Sequence, residues 1–526
     1  MNQAAIAPQS EDELTLATEA SSRLDQILQR HELGIVFLLA VYAAIRILFF
    51  SAAFPLFNST DEQVHFDAVY KYSHGYLPER GLPLVSPECA RIFTLYESPE
   101  YVTEAAVLRA AHMDRPIAAL PPDMQAVKFQ RYYSYWLSKK NFEIDSPPLY
   151  YLIAAVWLKA GSALQLTDWK LAYWLRFLNV VPYIALLFLA YRLVKEIYPE
   201  RENLSLFVPA LIAVFPQDMF YGINREVFSA PFAGIALLLL ALSLRRVARA
   251  RVYLLAGAFT VGLTFLIDVP NAVLYLAFLG TLIFWLWRAY KQGLLRSDAM
   301  VTGGAGLLAM SLPALWMARN YVSVGDITGS RDKIAALGWT LKPWASRWAH
   351  PLFSPEGTGY FLKELMKTYW RGEFLWHGKP MATPFLDWFL VLASYSLMVA
   401  FVVYFLIQRR STKDVQWWCD LVAVSLVGSA FLFLALLSLQ FDFGICFYPS
   451  RAHPYFVSGR IISGTMLPFL IIFASAFARL ASRIQKWVPP SIAMVSIVLL
   501  IGVSDILIKG IVVHSSFNLF SLAWLR

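Results

Sequence analysis

Long apolar stretches recur along the whole chain of 526 residues. The first, residues 33–54, is about 22 residues long, the length that an α-helix needs to cross the hydrocarbon core of a bilayer. Because a chain inside lipid must satisfy its backbone hydrogen bonds internally, such stretches predict membrane-spanning helices. The others lie near residues 148–166, 169–195, 203–220, 224–244, 252–267, 269–290, 299–322, 385–407, 416–439, 459–478 and 488–510.

The composition agrees with a membrane protein. Hydrophobic residues make up 58% of the chain and charged residues 15%, against about 45–50% and about 25% in soluble domains. Soluble, disordered, collagen-like, coiled-coil and disulfide-scaffold chains are excluded, and an all-α polytopic membrane protein is predicted. The net charge of +9 does not predict a nucleic-acid partner, since membrane proteins collect positive charge in cytoplasmic loops.

Two polar segments divide the chain. Residues 55–146 and 324–383 contain no spanning stretch and predict two large loops with amphipathic helices. The polar residues 1–31 predict a disordered cytoplasmic tail. An N-terminal transmembrane module that includes the first loop is predicted over residues 32–323, and a C-terminal bundle over residues 384–526. Residues 33–54 are too long for a signal-peptide core and precede no small-residue cleavage site, so they predict an uncleaved first span.

Basic clusters orient the predicted helices. They fall in alternate loops, as cytoplasmic clusters do, and place both large loops on the extracytoplasmic side. Seven apolar stretches lie between the two loops, and an odd number of crossings would place the loops on opposite sides of the membrane. One of the seven is therefore expected not to cross. The two candidates for it are residues 148–166 and the region of Gln217 and Asp218. About 11 spans follow, with the N-terminus inside. The clusters are Arg245, Arg246, Arg249 and Arg251; Arg288, Lys291 and Arg296; Arg409, Arg410 and Lys413; and Arg479, Arg483 and Lys486.

The densest polar motif follows the first span. Ser59 or Thr60 can cap a helix whose start holds Asp61 and Glu62, and His65 lies on the same helix face as Asp61. Adjacent carboxylates beside a histidine at the membrane boundary suit removal of a proton from a hydroxyl. The alternative is an amphipathic helix with solvated acids.

A second motif ends the first loop. Asp145 precedes Pro147-Pro148, whose rings favour an extended entry into the next apolar stretch at Tyr150. Asp145 is therefore expected at the membrane boundary, either as a binding group or as a simple helix N-terminal acid.

Together the motifs resemble the GT-C superfamily of lipid-dependent membrane glycosyltransferases. They stand here as Thr60-Asp61-Glu62-Gln-Val-His65-Phe66 and Asp145-Ser-Pro147-Pro148-Leu-Tyr150-Tyr151, and they look closest to a bacterial branch related to the aminoarabinose and protein mannosyl transferases. Ile461 replaces the usual Tyr of the last motif, and Asp268 stands where relatives often carry Thr-Lys. Further matches, in order, are Arg176-Phe-Leu-Asn179, Pro216 with Asn224-Arg225-Glu226, Arg319-Asn320 with Gly325-Asp326, Tyr369-Trp370 with Trp376, and Gly459-Arg460-Ile461.

The resemblance implies transfer of a sugar from a polyprenyl-phosphate donor to an extracytoplasmic glycan, lipid or protein. It further implies a multi-pass protein of the bacterial inner membrane with a periplasmic site in the N-terminal module. Asp61 is expected to be the base of an inverting displacement, oriented by Glu62 and His65. Arginines at the outer boundary suit a departing phosphate, although boundary arginines also contact lipid headgroups. The expected substrate-binding residues are Asp145, Tyr150, Arg225, Glu226, Arg319, Arg371, Arg451 and Arg460.

Three questions stay open in the sequence. The resemblance allows a divalent cation, since some relatives use one, but no tight metal-ligand spacing exists and no required metal is expected. Cys89 and Cys446 are both predicted outside and either pair in an oxidising compartment or stay unrelated thiols. Two alternative functions remain: a lipid or solute transporter or flippase, which predicts charged residues deep within spans, and a non-catalytic membrane scaffold to which the long loops belong.

Overall fold

Helices make up almost the whole structure. The computed structural model describes residues 28, 30–58, 61–199, 202–245, 249–407, 415–446, 448–483, 485 and 488–524, and it is 74% helical. In that part of the chain, sheet is limited to two pairs of two-residue strands. The predicted all-α class is confirmed. The predicted disordered tail, 1–31, lies almost wholly outside the described residues.

The elements follow the order of the apolar and polar segments. Up to the end of the first module the helices are α1 (Glu32–Ala53), α2 (Glu62–Ser73), α3 (Pro87–Tyr96), α4 (Ala105–Ala110), α5 (Pro122–Leu137), α6 (Leu149–Ala163), α7 (Trp169–Phe177), α8 (Val180–Ile197), α9 (Glu202–Ala213), α10 (Ser229–Leu244), α11 (Ala250–Phe265), α12 (Leu274–Lys291) and α13 (Leu295–Ser323). The rest are α14 (Ser330–Ala336), α15 (Trp344–Arg347), α16 (Pro355–Arg371), α17 (Pro384–Ile407), α18 (Val415–Gln440), α19 (Met466–Arg483), α20 (Pro490–Lys509) and α21 (Leu519–Leu522). The strands are Thr340–Leu341, which pairs with Phe441–Asp442, and Leu375–Trp376, which pairs with Lys379–Pro380; both pairs are antiparallel. Short 3-10 helices lie at Pro99–Tyr101, Ile117–Ala119, Asp218–Tyr221, Arg225–Phe228, Val269–Val273, Pro351–Phe353, Gly459–Thr465 and Gly510–His514.

The chain is a multi-pass membrane protein. Among the described residues, 9 helical segments are long and apolar enough to cross a bilayer, and three further apolar helices, Leu149–Ala163, Asn203–Ala213 and Ala250–Phe265, are shorter. Large aliphatic side chains on the long segments face outward, as lipid-facing residues do; Leu307 of α13 is 76% exposed. The total of about 11 spans stays a prediction.

The two ends of the helix bundle differ in their contacts. At one end, which we call the basic end, Lys195 pairs with Glu32 at 2.5 Å and Arg245 pairs with Glu196 at 2.8 Å. These ion pairs bring together the start of α1 and the ends of α8 and α10. The opposite end carries the two large polar segments, and we call it the loop end.

Helix α6 has both ends at the loop end. The Leu149 amide donates to the Leu266 carbonyl at 2.9 Å, and Asp168, just beyond α6, pairs with Arg91 of the first loop. A helix that crossed would place these ends on opposite sides. Of the two alternatives for a non-crossing segment, these contacts favour residues 148–166.

Small residues let the spanning helices approach closely. A Cβ at Gly262 of α11 would lie 2.6 Å from the Ala309 carbonyl oxygen of α13, so a larger residue would push the helices apart. Helices in lipid associate mainly through such packing, because lipid tails are as apolar as the side chains.

The cysteines form no disulfide in the described structure. Cys89 is fully buried in the core of the first loop, whereas Cys446 lies on a turn of the outer segment after α18. Both thiols are free, so the considered Cys89–Cys446 bond is absent.

A buried ionic cluster lies between α1, α9 and α20. Arg46 donates to Asp505 at 3.1 Å and to the Phe215 carbonyl at 2.7 Å, and Lys509 contacts Asp505 at 2.7 Å. Lys509 also donates to the Pro216 carbonyl. These three charges fix the irregular chain after α9. Sequence analysis did not single them out, because Arg46 lies in a different apolar stretch from Asp505 and Lys509 and no local pattern links the two stretches.

We expect Asp505→Asn to lower the stability by about 3–5 kcal/mol, because it leaves Arg46 and Lys509 buried without a carboxylate. Thermal unfolding of the purified protein in detergent measures the change. The matched control is Asp442→Asn, which removes the exposed ion pair with Arg451 and should cost no more than about 1 kcal/mol. Equal effects of both substitutions would contradict a structural role for the buried cluster.

Candidate active site

Asp61 is the N-cap of α2. Its backbone is left-handed, with a φ of 64°, and its side chain makes no capping hydrogen bond. The carboxylate turns instead to Arg460, with Oδ2 2.8 Å from Nη2, and it stays 29% exposed. Ser59 and Thr60, the predicted caps, lie outside the described residues. The local backbone thus directs Asp61 across the loop end rather than onto its own helix.

Arg460 gathers three carboxylates, and we call these four side chains the Arg460 cluster. Besides Asp61, its guanidinium contacts Glu226 at 3.1 Å and Glu373 at 3.2 Å. Gly459 sets this position, because a Cβ there would lie 2.3 Å from the Tyr369 backbone. With three acids around one cation, the fully ionised cluster carries excess negative charge. Of these acids, Asp61 is the most exposed to solvent.

A second cluster surrounds Arg225, next to Glu226 in the chain. Arg225 pairs with Glu143 and, at 2.9 Å, with Asp268, and Lys333 also pairs with Glu143. We call these four residues the Arg225 cluster, and its charges balance. Burial alone would raise the pKa of Glu143, but Arg225 and Lys333 lower it well below the usual range.

His65 lies beside both clusters. Its Nδ1 is 2.8 Å from the Tyr151 hydroxyl, and the ring is almost fully buried. Burial lowers the pKa of His65, against the opposing effects of Glu143 and Glu226, so the ring is neutral at neutral pH. A neutral imidazole can accept or donate a hydrogen bond without adding charge.

Glu62 forms a buried ion pair with Arg176. Two hydrogen bonds of 2.7 and 2.6 Å join them, and the Ile223 amide donates to Glu62 at 3.0 Å. Arg176 also donates to the Phe54 carbonyl at 2.7 Å, so the pair ties α2 and α7 to the end of α1. Both side chains are at most 1% exposed. Glu62 is therefore an anchor for the helix that starts at Asp61.

Asp145 lies apart from these clusters, near Arg319, which donates to the Pro78 carbonyl and to Asn320. Its carboxyl group is buried, and neither oxygen has a hydrogen-bond partner among the described residues. Gly329 packs against its backbone with a φ of +67°, where a Cβ would lie 2.5 Å from the Asp145 carbonyl oxygen. Burial, reinforced by Asp332 and opposed by Arg319, raises the pKa of Asp145 to about 7.

The remaining expected residues are dispersed. Tyr150 is buried against Phe228, and its hydroxyl has no partner in the described part of the chain. Arg371 pairs with Asp387 at 3.2 Å, and Arg451 pairs with Asp442 at 3.0 Å on an exposed turn. The structure thus brings together Asp61, Glu226 and Arg460, with Arg225 and His65 beside them, and it places Asp145 and Arg319 at a second position.

Several contributors were not singled out as site residues from the sequence. Glu143 is two residues before Asp145, and Glu373 is two residues after Arg371, so each had a local signal in an already noted motif. Lys333 had none, because it lies in an ordinary polar loop. Asp268 was noted as a departure from the resembled family and was not counted as a site residue.

The carboxylates do not form a metal cage. Those near Asp61 are arranged around a guanidinium rather than around a common point. Across the described residues no group of three His, Cys, Asp or Glu side chains is placed to hold a metal ion.

Comparison with known proteins finds a distant likeness among solved structures. No family model matches the sequence, and no curated protein matches it at a significant level. The oligosaccharyltransferase of Archaeoglobus fulgidus, solved with zinc and sulfate, is similar at a TM-score of 0.36 and 13% identity. The match covers 90% of this chain and 53% of that one, so the chain spans about half its length. A TM-score below 0.5 does not establish a common fold, and the function therefore rests on the site and the sequence motifs.

We expect Asp145→Asn to change how stability depends on pH. Folded Asp145 keeps its proton up to about pH 7, whereas the unfolded residue loses it near 3.8, so its favourable contribution is lost as the pH rises between these values. The variant lacks this loss. As the pH rises from 5 to 8, the melting temperature of the variant should increase relative to that of the wild type. The exposed control Asp123→Asn should show the same pH dependence as the wild type. A constant difference at all pH values would contradict the raised pKa.

Proposed function

We propose that the protein is a membrane glycosyltransferase that moves a sugar from a polyprenyl-phosphate donor to an acceptor glycan, lipid or protein. The ion pair between Asp61 and Arg460 carries this proposal: it sets a partly exposed carboxylate against a guanidinium at the loop end. The order of the sequence motifs supports the same class of enzyme.

Asp61 is the proposed general base. It takes the proton of the acceptor hydroxyl while the acceptor oxygen forms a bond to the anomeric carbon. The bond from that carbon to the phosphate oxygen breaks, and the phosphate leaves with the bonding electrons. A single displacement of this kind inverts the anomeric centre. General bases of this type contribute about 10²–10⁴-fold in rate.

Arg460 is the proposed partner of the departing phosphate. Asp61 loses its negative charge when it accepts the proton, so its ion pair with Arg460 weakens at the moment that charge develops on the phosphate. Glu226 and Glu373 keep the guanidinium in place during this change. The arginine can therefore exchange one anionic partner for another without moving far.

The other residues have distinct proposed roles. Neutral His65 orients the acceptor or Asp61, and Glu62 acts as an anchor through Arg176. Asp145 and Arg319 lie beside Tyr72, close to the far end of α2, about 16 Å along the helix from Asp61. We assign them to binding a more distant part of a substrate. Arg451 is left out of the proposed site because it is 73% exposed and paired to Asp442.

The loop end is proposed to face the extracytoplasmic side. With α6 at the surface, the remaining apolar segments alternate between the ends and give 11 crossings with the N-terminus in the cytoplasm. The arginines and lysines of the basic end agree with a cytoplasmic location. A bacterial inner membrane and a periplasmic site follow from the resemblance.

The alternative of a lipid or solute transporter draws on the cluster of Arg46, Asp505 and Lys509. Ionisable residues buried within spans often mark transport pathways. Here they bind one another and the carbonyls of Phe215 and Pro216, which supports a structural role. Transfer activity separates the two functions, since a transporter requires no acceptor chemistry.

We expect Asp61→Asn to lower sugar transfer from polyprenyl-phosphate donors by about 10²–10⁴-fold, because the amide cannot take the acceptor proton. Product formation with reconstituted protein and a panel of donors and acceptors measures the loss. The control Asp123→Asn removes an exposed carboxylate of the first loop and should transfer normally. Near-normal transfer by the Asp61 variant would refute the base assignment.

Arg460→Lys tests the guanidinium itself. Lysine keeps the charge but cannot make the forked contacts that arginine makes to Asp61, Glu226 and Glu373, so we expect transfer to fall at least tenfold. The measurement is the same transfer assay, with thermal unfolding to confirm the fold. Arg347→Lys, in the exposed part of the second loop, is the matched control. Equal activities of the two variants would show that charge alone suffices at position 460.

A further inference from the structure

The basic end of the bundle contains an open pocket of about 680 Å³ between α10, α12 and α18. This volume is typical of small-ligand sites. The pocket is far from the proposed active site, because it lies at the opposite end of these helices. Its walls include Leu244, Arg245, Phe284, Trp287, Arg288 and Lys291.

Two basic clusters of the sequence converge in this pocket. Arg245 comes from the loop after α10, whereas Arg288 and Lys291 come from the last turn of α12. Arg245 pairs with Glu196 at 2.8 Å. Arg288 donates to the Leu244 carbonyl at 3.1 Å, which holds its guanidinium at the end of α10. Lys291 is exposed and forms no ion pair with any described residue, so the pocket has positive charge in excess.

An apolar crevice lies deeper between the same helices. Leu244 forms part of both walls, but the crevice is narrow, about 40 Å³, and does not hold an acyl chain. The wider pocket itself combines basic groups with the apolar side chains of Leu244, Phe284 and Trp287. Basic and apolar walls together match a molecule with an anionic head and a hydrocarbon tail, whereas a free phosphate would use only the basic groups.

We infer that this pocket binds the phosphate headgroup of an anionic phospholipid in the leaflet at the basic end, with the first carbons of its tails against Leu244, Phe284 and Trp287. Arginine and lysine supply charge-assisted hydrogen bonds to the phosphate, and Trp287 lies at the depth where indole rings favour the interface. Basic pockets between spanning helices are suited to such headgroups. The inference does not depend on the proposed transfer reaction.

Native mass spectrometry of the full-length protein tests this site. The probes are phosphatidylglycerol and phosphatidylcholine with identical acyl chains. We expect the wild type to retain phosphatidylglycerol preferentially. The double variant Arg288→Gln with Lys291→Gln should bind it about 25-fold more weakly, since each cation near an anionic headgroup contributes about fivefold. Arg296→Gln removes a charge at the same end but outside the pocket and should bind like the wild type.

Lys291→Gln alone provides the test where the double variant does not fold, because Lys291 is exposed and should cost only binding, about fivefold. Equal retention of both lipids by the wild type, or unchanged binding in the variants, would overturn the site. Inorganic phosphate that protects the wild type against heat as well as phosphatidylglycerol does would overturn the lipid assignment. None of these outcomes changes sugar transfer, so they are separate from the proposed enzyme activity.

Discussion

A charge that leaves water inside a membrane protein must meet another charge, and this requirement organises the loop end of the bundle. Arg460 meets three carboxylates, and they come from the start of α2, from the segment before α10 and from the end of the second large loop. Arg176 meets Glu62 and the last carbonyls of α1. The same pairs that neutralise buried charge therefore join separate helices and position Asp61.

The helices themselves were predictable, because the thickness of a bilayer sets the length of the apolar stretch that a spanning helix needs. The pairing of charges was not. Asp61 and Arg460 are 399 residues apart, and Arg46 and Asp505 are 459 apart, so no local pattern links them. A single arginine in an apolar stretch also barely alters the average hydropathy. The number of crossings could not be settled from the sequence for the same reason. Both ends of α6 lie at the loop end because Leu149 contacts Leu266 and Asp168 contacts Arg91, and neither contact follows from a local pattern.

The candidate site was predicted in part for the same reason. Asp61, Glu226 and Arg460 belong to motifs with recognisable neighbours, and the structure brings them together. Glu62 belongs to the same motif as Asp61 but points the other way, because successive residues of a helix face different directions. Residue type and spacing thus selected residues that the structure places in contact, whereas packing decided which carboxylate is exposed and which one is an anchor.

The excess negative charge of the Arg460 cluster also constrains the order of events in the proposed reaction. A phosphate that approaches three ionised carboxylates is repelled by more charge than one guanidinium can compensate. Protonation of Asp61 removes one of these charges and frees one edge of Arg460 at the same time. Bond breaking at the phosphate is therefore favoured only when the acceptor proton has moved, or is moving, to Asp61. Such coupling would discourage release of the sugar when no acceptor is bound, which is the reaction that a transferase must avoid.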